Sequence, residues 1–264
     1  SICMKTNRDD HNREWENNFS GFQNVRIVPQ GAQSQTGERR NVHYPLARYI
    51  AEGGLSTSQF IEFKNYLKDS ILVLNNFILP LSPDLNNMRP WKSDKRPDII
   101  VVTKEGEICI IQCKQRNDFG KNMEKEFYAF TALLDFASDH PIILKNRKLT
   151  DPWDKWEGCY NKRYLKDNRF PDLGSTLAQL FGISTRLKQT EWANDVVKHI
   201  LDGNVRYGVA FDGNIDKKIL NHFDEISSRF NRWSNGQSEL YIFMVNFDRK
   251  TVNINKLQNI LNEE

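Results

Sequence analysis

Three residues near the middle of the chain, Asp98, Gln112 and Lys114, combine a carboxylate, an amide oxygen and an ammonium. A hard cation such as Mg²⁺ prefers oxygen ligands, and carboxylate, amide carbonyl and backbone carbonyl all qualify. The Asp98 carboxylate, the Gln112 side-chain oxygen and the Cys113 backbone carbonyl are therefore the candidate metal ligands. A metal held by them would activate a water and stabilise charge on a phosphate. Lys114 is the candidate to orient that water or to neutralise the developing phosphorane charge.

The elements that must position these residues are two short apolar runs, Asp98-Ile-Ile-Val-Val-Thr103 and Glu107-Ile-Cys-Ile-Ile-Gln-Cys-Lys114. β-Branched residues, short length and the intervening Lys104-Glu-Gly106 predict a hairpin. A three-residue loop with Gly106 in the left-handed position of a bulge pairs Asp98 with Gln112 and points Lys114 the same way as Gln112. A two-residue loop would pair Asp98 with Cys113 instead. Both faces of both strands are apolar, which predicts a place in mid-sheet with helices on either side.

Pro97-Asp98, then thirteen intervening residues, then Gln112-Cys113-Lys114 resembles the PD-(D/E)XK nuclease superfamily. The resemblance covers Lys95 to Ser138, including a predicted helix over Lys121–Ser138. It implies a restriction-endonuclease-like fold, Mg²⁺ (replaceable by Mn²⁺) at Asp98 and Gln112, and Lys114 assisting phosphodiester hydrolysis. Gln112 departs from the Asp or Glu of that pattern, which removes one negative charge and favours a single metal over two. The family often supplies a further glutamate from the helix before the hairpin. Glu62 is the choice here, with Glu52 and Glu38 as the other candidates, and a solvated helix residue is the alternative role for Glu62.

Nucleic-acid contacts are expected from Arg39 and Arg40, after the loop Pro29–Gly37, and from Lys95 and Arg96 beside Asp98. The stretch from Lys145 to Phe170 interleaves five aromatic residues with Lys155, Lys162 and Arg163, and holds eight basic against four acidic residues. Stacking on unpaired bases with phosphate neutralisation is one reading. A loop with buried aromatics and solvated charges is the other. His43, before Tyr44-Pro45, reads as a loop residue. Cys109 and Cys113 lack a matching pair and a nearby histidine, so structural zinc is not expected.

The remaining pattern frames this core. Ser56 with Gln59 reads as a capping box opening a helix whose apolar residues recur from Phe60 to Ile78, ending at Pro80. Further strands are predicted at Pro141–Leu144, Val205–Phe211 and Leu240–Phe247, and helices at Leu177–Leu201 and Ile215–Trp233. The expected fold class is thus α/β: a restriction-endonuclease-like core with a central mixed β-sheet flanked by helices, as one nuclease-like domain over residues 1–264, with residues 145–170 as a basic, aromatic insertion.

With 264 residues, 27% of them charged, and a net charge of +3, the chain reads as a globular protein that permits but does not demand a nucleic-acid partner. No apolar run reaches the roughly 18 residues of a membrane span. Ser1–Asp10 shows no signal-peptide pattern, and the expected location is the cytoplasm. No Walker, dinucleotide-binding or G-x-S-x-G pattern occurs. The expectation is an Mg²⁺-dependent DNA endonuclease of restriction or phage-defence type, acting as a homodimer or with an operon-encoded partner protein. Its rivals are a catalytically inactive binding or regulatory module on the same fold, and an RNA endonuclease.

Overall fold

The computed structural model describes residues 7–27, 36–74, 98–120, 188, 191, 195, 198, 199, 202–234, 236 and 238–263. Its strands are β1 (Val25–Ile27), β2 (Ile71–Leu74), β3 (Ile99–Val102), β4 (Ile108–Cys113), β5 (Val205–Asp212), β6 (Leu240–Asn246) and β7 (Thr251–Lys256). They form one seven-stranded sheet whose spatial order follows chain order. The sheet is mixed: β1–β2, β4–β5 and β5–β6 are parallel, while β2–β3, β3–β4 and β6–β7 are antiparallel. The protein is therefore α/β, with helices against both faces of the sheet.

The β3–β4 hairpin forms as its sequence predicts. Ile99 pairs with Ile111 and Val102 with Ile108, the register of a three-residue loop. Gly106 takes φ +86°, a conformation in which a Cβ would clash. Thr103 closes the turn from both sides, its carbonyl accepting the Gly106 N–H and its hydroxyl oxygen accepting the Glu107 N–H. Every residue of both strands is buried, as strands third and fourth of seven must be when both faces carry helices.

Residues 56–74 are not helical as the sequence analysis expects. Gly54–Thr57 and Ile61–Phe63 are single 3₁₀ turns, and Ile71–Leu74 is strand β2. Ser56 does not cap a helix; its hydroxyl donates to the Gly53 carbonyl. Phe63 and Tyr66 are buried, but Ile61 and Leu67 are exposed. An apolar spacing near 3.6 is met equally by successive short turns, and the contiguous run Ile71-Leu-Val-Leu74 is what a covered strand looks like. The expected strands over Val205–Phe211 and Leu240–Phe247 are β5 and β6. Lys188, Glu191, Asp195, Lys198 and His199 are helical, as expected of residues 177–201. The helix over 121–138 and the strand over 141–144 lie outside the described residues.

Helix α1 (Asn7–Phe19) and the helical run from α2 (Thr36–Glu38) through a π-helical segment (Arg39–His43) into α3 (Tyr44–Ala51) cover one face of the sheet. Their apolar side chains, among them Trp15, Val42, Leu46 and Ile50, form one core with Leu72, Ile99, Ile111, Cys113 and Phe243. Helix α4 (Lys217–Ser234) covers the other face, where Phe230 meets Tyr207, and Phe119 packs between Phe211 and Phe223. The short α5 (Leu257–Asn262) closes the chain beside β6 and β7.

Gly208 sits in β5 where an added Cβ would run into the Phe243 ring, with the Ile111 side chain 3.4 Å away. Both neighbours are fully buried, so neither can swing into solvent. Gly208→Ala is expected to lower unfolding stability by about 1–3 kcal/mol, read as a lower urea midpoint. An unchanged midpoint would mean that this core is looser than its burial implies.

Candidate functional site

Asp98 immediately precedes β3, and its Oδ2 accepts a 2.8 Å hydrogen bond from the backbone N–H of Cys113 at the end of β4. That bond fixes the carboxylate at the open end of the hairpin. The register sets Asp98 across from Gln112, as the sequence analysis expects. Gln112 is itself buried. Side-chain alternation carries the Cys113 thiol to the face of α1 and α3, and Gln112 and Lys114 to the α4 face. The Lys114 backbone is held by its N–H donating to the Ala210 carbonyl. Beyond it, the Arg116 N–H donates to Asp212 Oδ1 at 2.7 Å and its guanidinium pairs with Asp216, tying the exit of β4 to the loop after β5.

The second half of the site comes from the helical run over residues 36–51. Side chains three or four apart are neighbours on an α-helix; Glu38 and His43 are five apart. The π segment closes an i→i+5 hydrogen bond from the Tyr44 N–H to the Arg39 carbonyl, and this wider turn brings the five-apart pair together. Glu38 Oε1 lies 3.0 Å from His43 Nε2, and Asp98 Oδ2 lies 4.0 Å from the same nitrogen. Trp15, fully buried, packs against the imidazole at 5.9 Å and edge-on to Tyr44 at 4.5 Å. Gln115 lies so close to Gly37 that a side chain there would strike its amide. The end of β4 is thus pressed against the helix turn that carries Glu38.

His43, Asp98 and Cys113 form a cluster whose donor atoms all lie within 4.8 Å of one another. The His43 and Asp98 side chains are only 3% and 12% exposed. Burial opposes protonation of His43, yet the hydrogen bond it donates to Glu38 and the charges of Asp98 and Glu38 outweigh it, and Arg39 only partly offsets them. The imidazole is thereby held above its ordinary range. The two carboxylates favour the protonated imidazole, and that mutual compensation is what lets three titratable residues share so small a buried space.

The structure sorts the other expected site residues. Of the three glutamates, Glu38 reaches the Asp98 end of the hairpin. Glu62, preferred from sequence, accepts a 2.9 Å hydrogen bond from Tyr241 and pairs with Lys256, on strands β6 and β7 beyond β5. Its preference rested on a helix that does not form. Glu52 pairs with Arg48 on the exposed side of α3. Arg39 is buried and ion-paired with Glu14 at 3.4 Å, so it does not present a charge to a DNA groove. Arg40 is exposed but also bound by Glu14, at 2.9 Å. Lys95, Arg96, Lys155, Lys162 and Arg163 lie outside the described residues.

His43 is the residue that sequence reasoning missed. It is helical rather than in a loop, and the Tyr44-Pro45 that suggested a loop begins α3, where proline at the first turn is tolerated. No local spacing joins residues 43, 98 and 113, so no motif signals the cluster.

Fold and cluster together define an α/β protein with titratable residues gathered at the open end of a central hairpin. Comparison with protein-family models, with curated proteins and with solved structures finds no match. Among the described residues, no helix is long and apolar enough to cross a membrane.

Proposed function

We propose that the chain is a metal-dependent nuclease of the restriction-endonuclease-like fold, hydrolysing DNA phosphodiester bonds in a restriction or phage-defence role. The observation that carries the reading is the hairpin end. Asp98 is fixed there by the Cys113 N–H and Glu38 arrives from the helical run before the hairpin, while Gln112 and Lys114 stand in the expected register at the same strand end with their side chains turned by alternation to the other face of the sheet. A glutamate from that preceding helix is what the family resemblance calls for, and Glu38 meets it where Glu62 does not.

In this reading Asp98 is the carboxylate that anchors the cation, and its fixed orientation avoids a reorganisation cost during reaction. Lys114, at the same strand end, offers its ammonium to a phosphate oxygen and neutralises charge as the phosphorane forms. A divalent cation, when bound, supplies Lewis-acid charge and an activated water. The donors do not fit Mg²⁺ well: it takes oxygen ligands, whereas an imidazole nitrogen and a thiol stand in the same cluster as Asp98.

The test is incubation of supercoiled plasmid and phage DNA with the purified chain in Mg²⁺, Mn²⁺, Zn²⁺ or EDTA. Metal-dependent linear or fragmented product that EDTA abolishes is expected. Intact DNA in every metal, with DNA still bound, would replace the nuclease reading with that of a non-catalytic binding module. Cleavage confined to RNA of matched sequence would reassign the substrate.

A further inference from the structure

We infer that His43 Nε2, Cys113 Sγ and the Asp98 carboxylate form a binding site for a borderline-soft divalent cation of the Zn²⁺ type. Imidazole and thiolate select such ions over Mg²⁺. The inference shares Asp98 with the nuclease reading but stands whether or not the chain cuts DNA.

The geometry argues for it in three ways. In a tetrahedral zinc site with bonds of 2.0–2.3 Å, neighbouring donors stand about 3.3–3.7 Å apart. Here Asp98 Oδ2 and His43 Nε2 are 4.0 Å apart, and all three donors fall within 4.8 Å. They need to draw in by only about an ångström to meet one ion. Next, the supports of such a site are already in place: the Cys113 N–H orients Asp98, and Trp15 packs against the His43 ring. Groups that fix the ligands in this way commonly govern metal affinity. Finally, Glu38 Oε1, 3.0 Å from His43 Nε2, offers a further oxygen for the fourth position. Its present contact is one a cation on that nitrogen would replace. Binding displaces the thiol proton and any proton on Nε2 to solvent. Cys113 is not in a disulfide.

The site joins the π segment to a hairpin remote from it in sequence, at the start of β3 and the end of β4. A bound ion would therefore pin the N-terminal helical layer to the central hairpin.

The test is titration of the metal-stripped full chain with Co²⁺, the spectroscopic stand-in for Zn²⁺. One equivalent is expected to give the visible absorption of four-coordinate cobalt together with a thiolate-to-cobalt charge-transfer band. Zn²⁺ should bleach both, while a hundredfold excess of Mg²⁺ should bleach neither. Cys113→Ser should lose the charge-transfer band, and His43→Gln should weaken Co²⁺ binding at least tenfold. A spectrum of six-coordinate cobalt, or a thiolate band unchanged in Cys113→Ser, would overturn the inference. If Cys113→Ser does not fold, X-ray absorption of the cobalt-loaded unmodified chain decides: sulfur and imidazole ligands support the site, and oxygen ligands alone refute it. Thiolate-bound cobalt in a chain that leaves DNA intact would retain this inference and sink the nuclease. Mg²⁺-supported cleavage without thiolate-bound cobalt would do the reverse.

Discussion

Lys114→Ala is expected to lower metal-dependent cleavage of plasmid DNA by about a hundred- to a thousandfold, the usual effect of removing one preorganised charge at a developing anion. The fold should survive. The Lys114 side chain is only partly buried, and its backbone contribution, the N–H donated to Ala210, does not depend on residue type. Circular dichroism and the urea midpoint should match the unmodified chain while cutting disappears. Lys114→Arg separates position from chemistry. Its guanidinium keeps the charge but is broader and cannot serve as a compact point charge, so partial activity is expected. Cleavage by Lys114→Ala at the unmodified rate would remove the lysine from the mechanism and, with it, the strongest reason to regard the hairpin as a nuclease site.

What could be read from sequence follows the range over which each interaction acts. The β3–β4 hairpin was legible because everything that determines it is local: β-branched runs, a three-residue loop and a glycine that takes the left-handed conformation. Helix α4 and strands β5 and β6 were legible for the same reason. Strand β7 was not, although Val252 and Ile254 alternate with Thr251, Asn253 and Asn255. At the sheet edge its outer residues are polar, and the pattern competes with that of a loop. The stretch after Ser56 misled because its apolar spacing satisfies helix and 3₁₀ turns alike; the choice was made by the sheet, which needed Ile71–Leu74 as the partner of β3.

The site divides along the same line. Asp98, Gln112 and Lys114 share one hairpin and could be placed from its loop length. His43 could not, because its position depends on a π turn that no propensity scale anticipates and on the packing of Trp15 from a helix still earlier in the chain. The same turn decides among the glutamates. In an unbroken α-helix Glu38 would not share a face with His43; with the wider turn, it does. Structural zinc is not expected from the sequence because Cys109 and Cys113 have neither a matching pair nor a histidine nearby in the chain. The fold supplies one from seventy residues upstream.

Asp98 performs two tasks that substitution can separate. Its Oδ2 satisfies the buried Cys113 N–H, and its charge faces His43. Asp98→Ala removes both, leaving a buried donor without its acceptor, and should cost about 1–3 kcal/mol of stability. Asp98→Asn keeps an oxygen that can accept the Cys113 N–H while losing the charge, so its cost should stay below about 1 kcal/mol. It should also bring the His43 pKa down, because one of the two carboxylates that favour the protonated imidazole is gone. Cleavage should divide differently. Both variants lose the anionic oxygen that the proposed cation site requires, so both should fall at least a hundredfold, the stable Asn variant included. Urea denaturation and plasmid cleavage, measured on the same preparations, test the two tasks independently. Equal stability of the Ala and Asn variants would mean that the Cys113 N–H finds another acceptor. Cleavage retained by Asp98→Asn would mean that the carboxylate serves the hairpin alone.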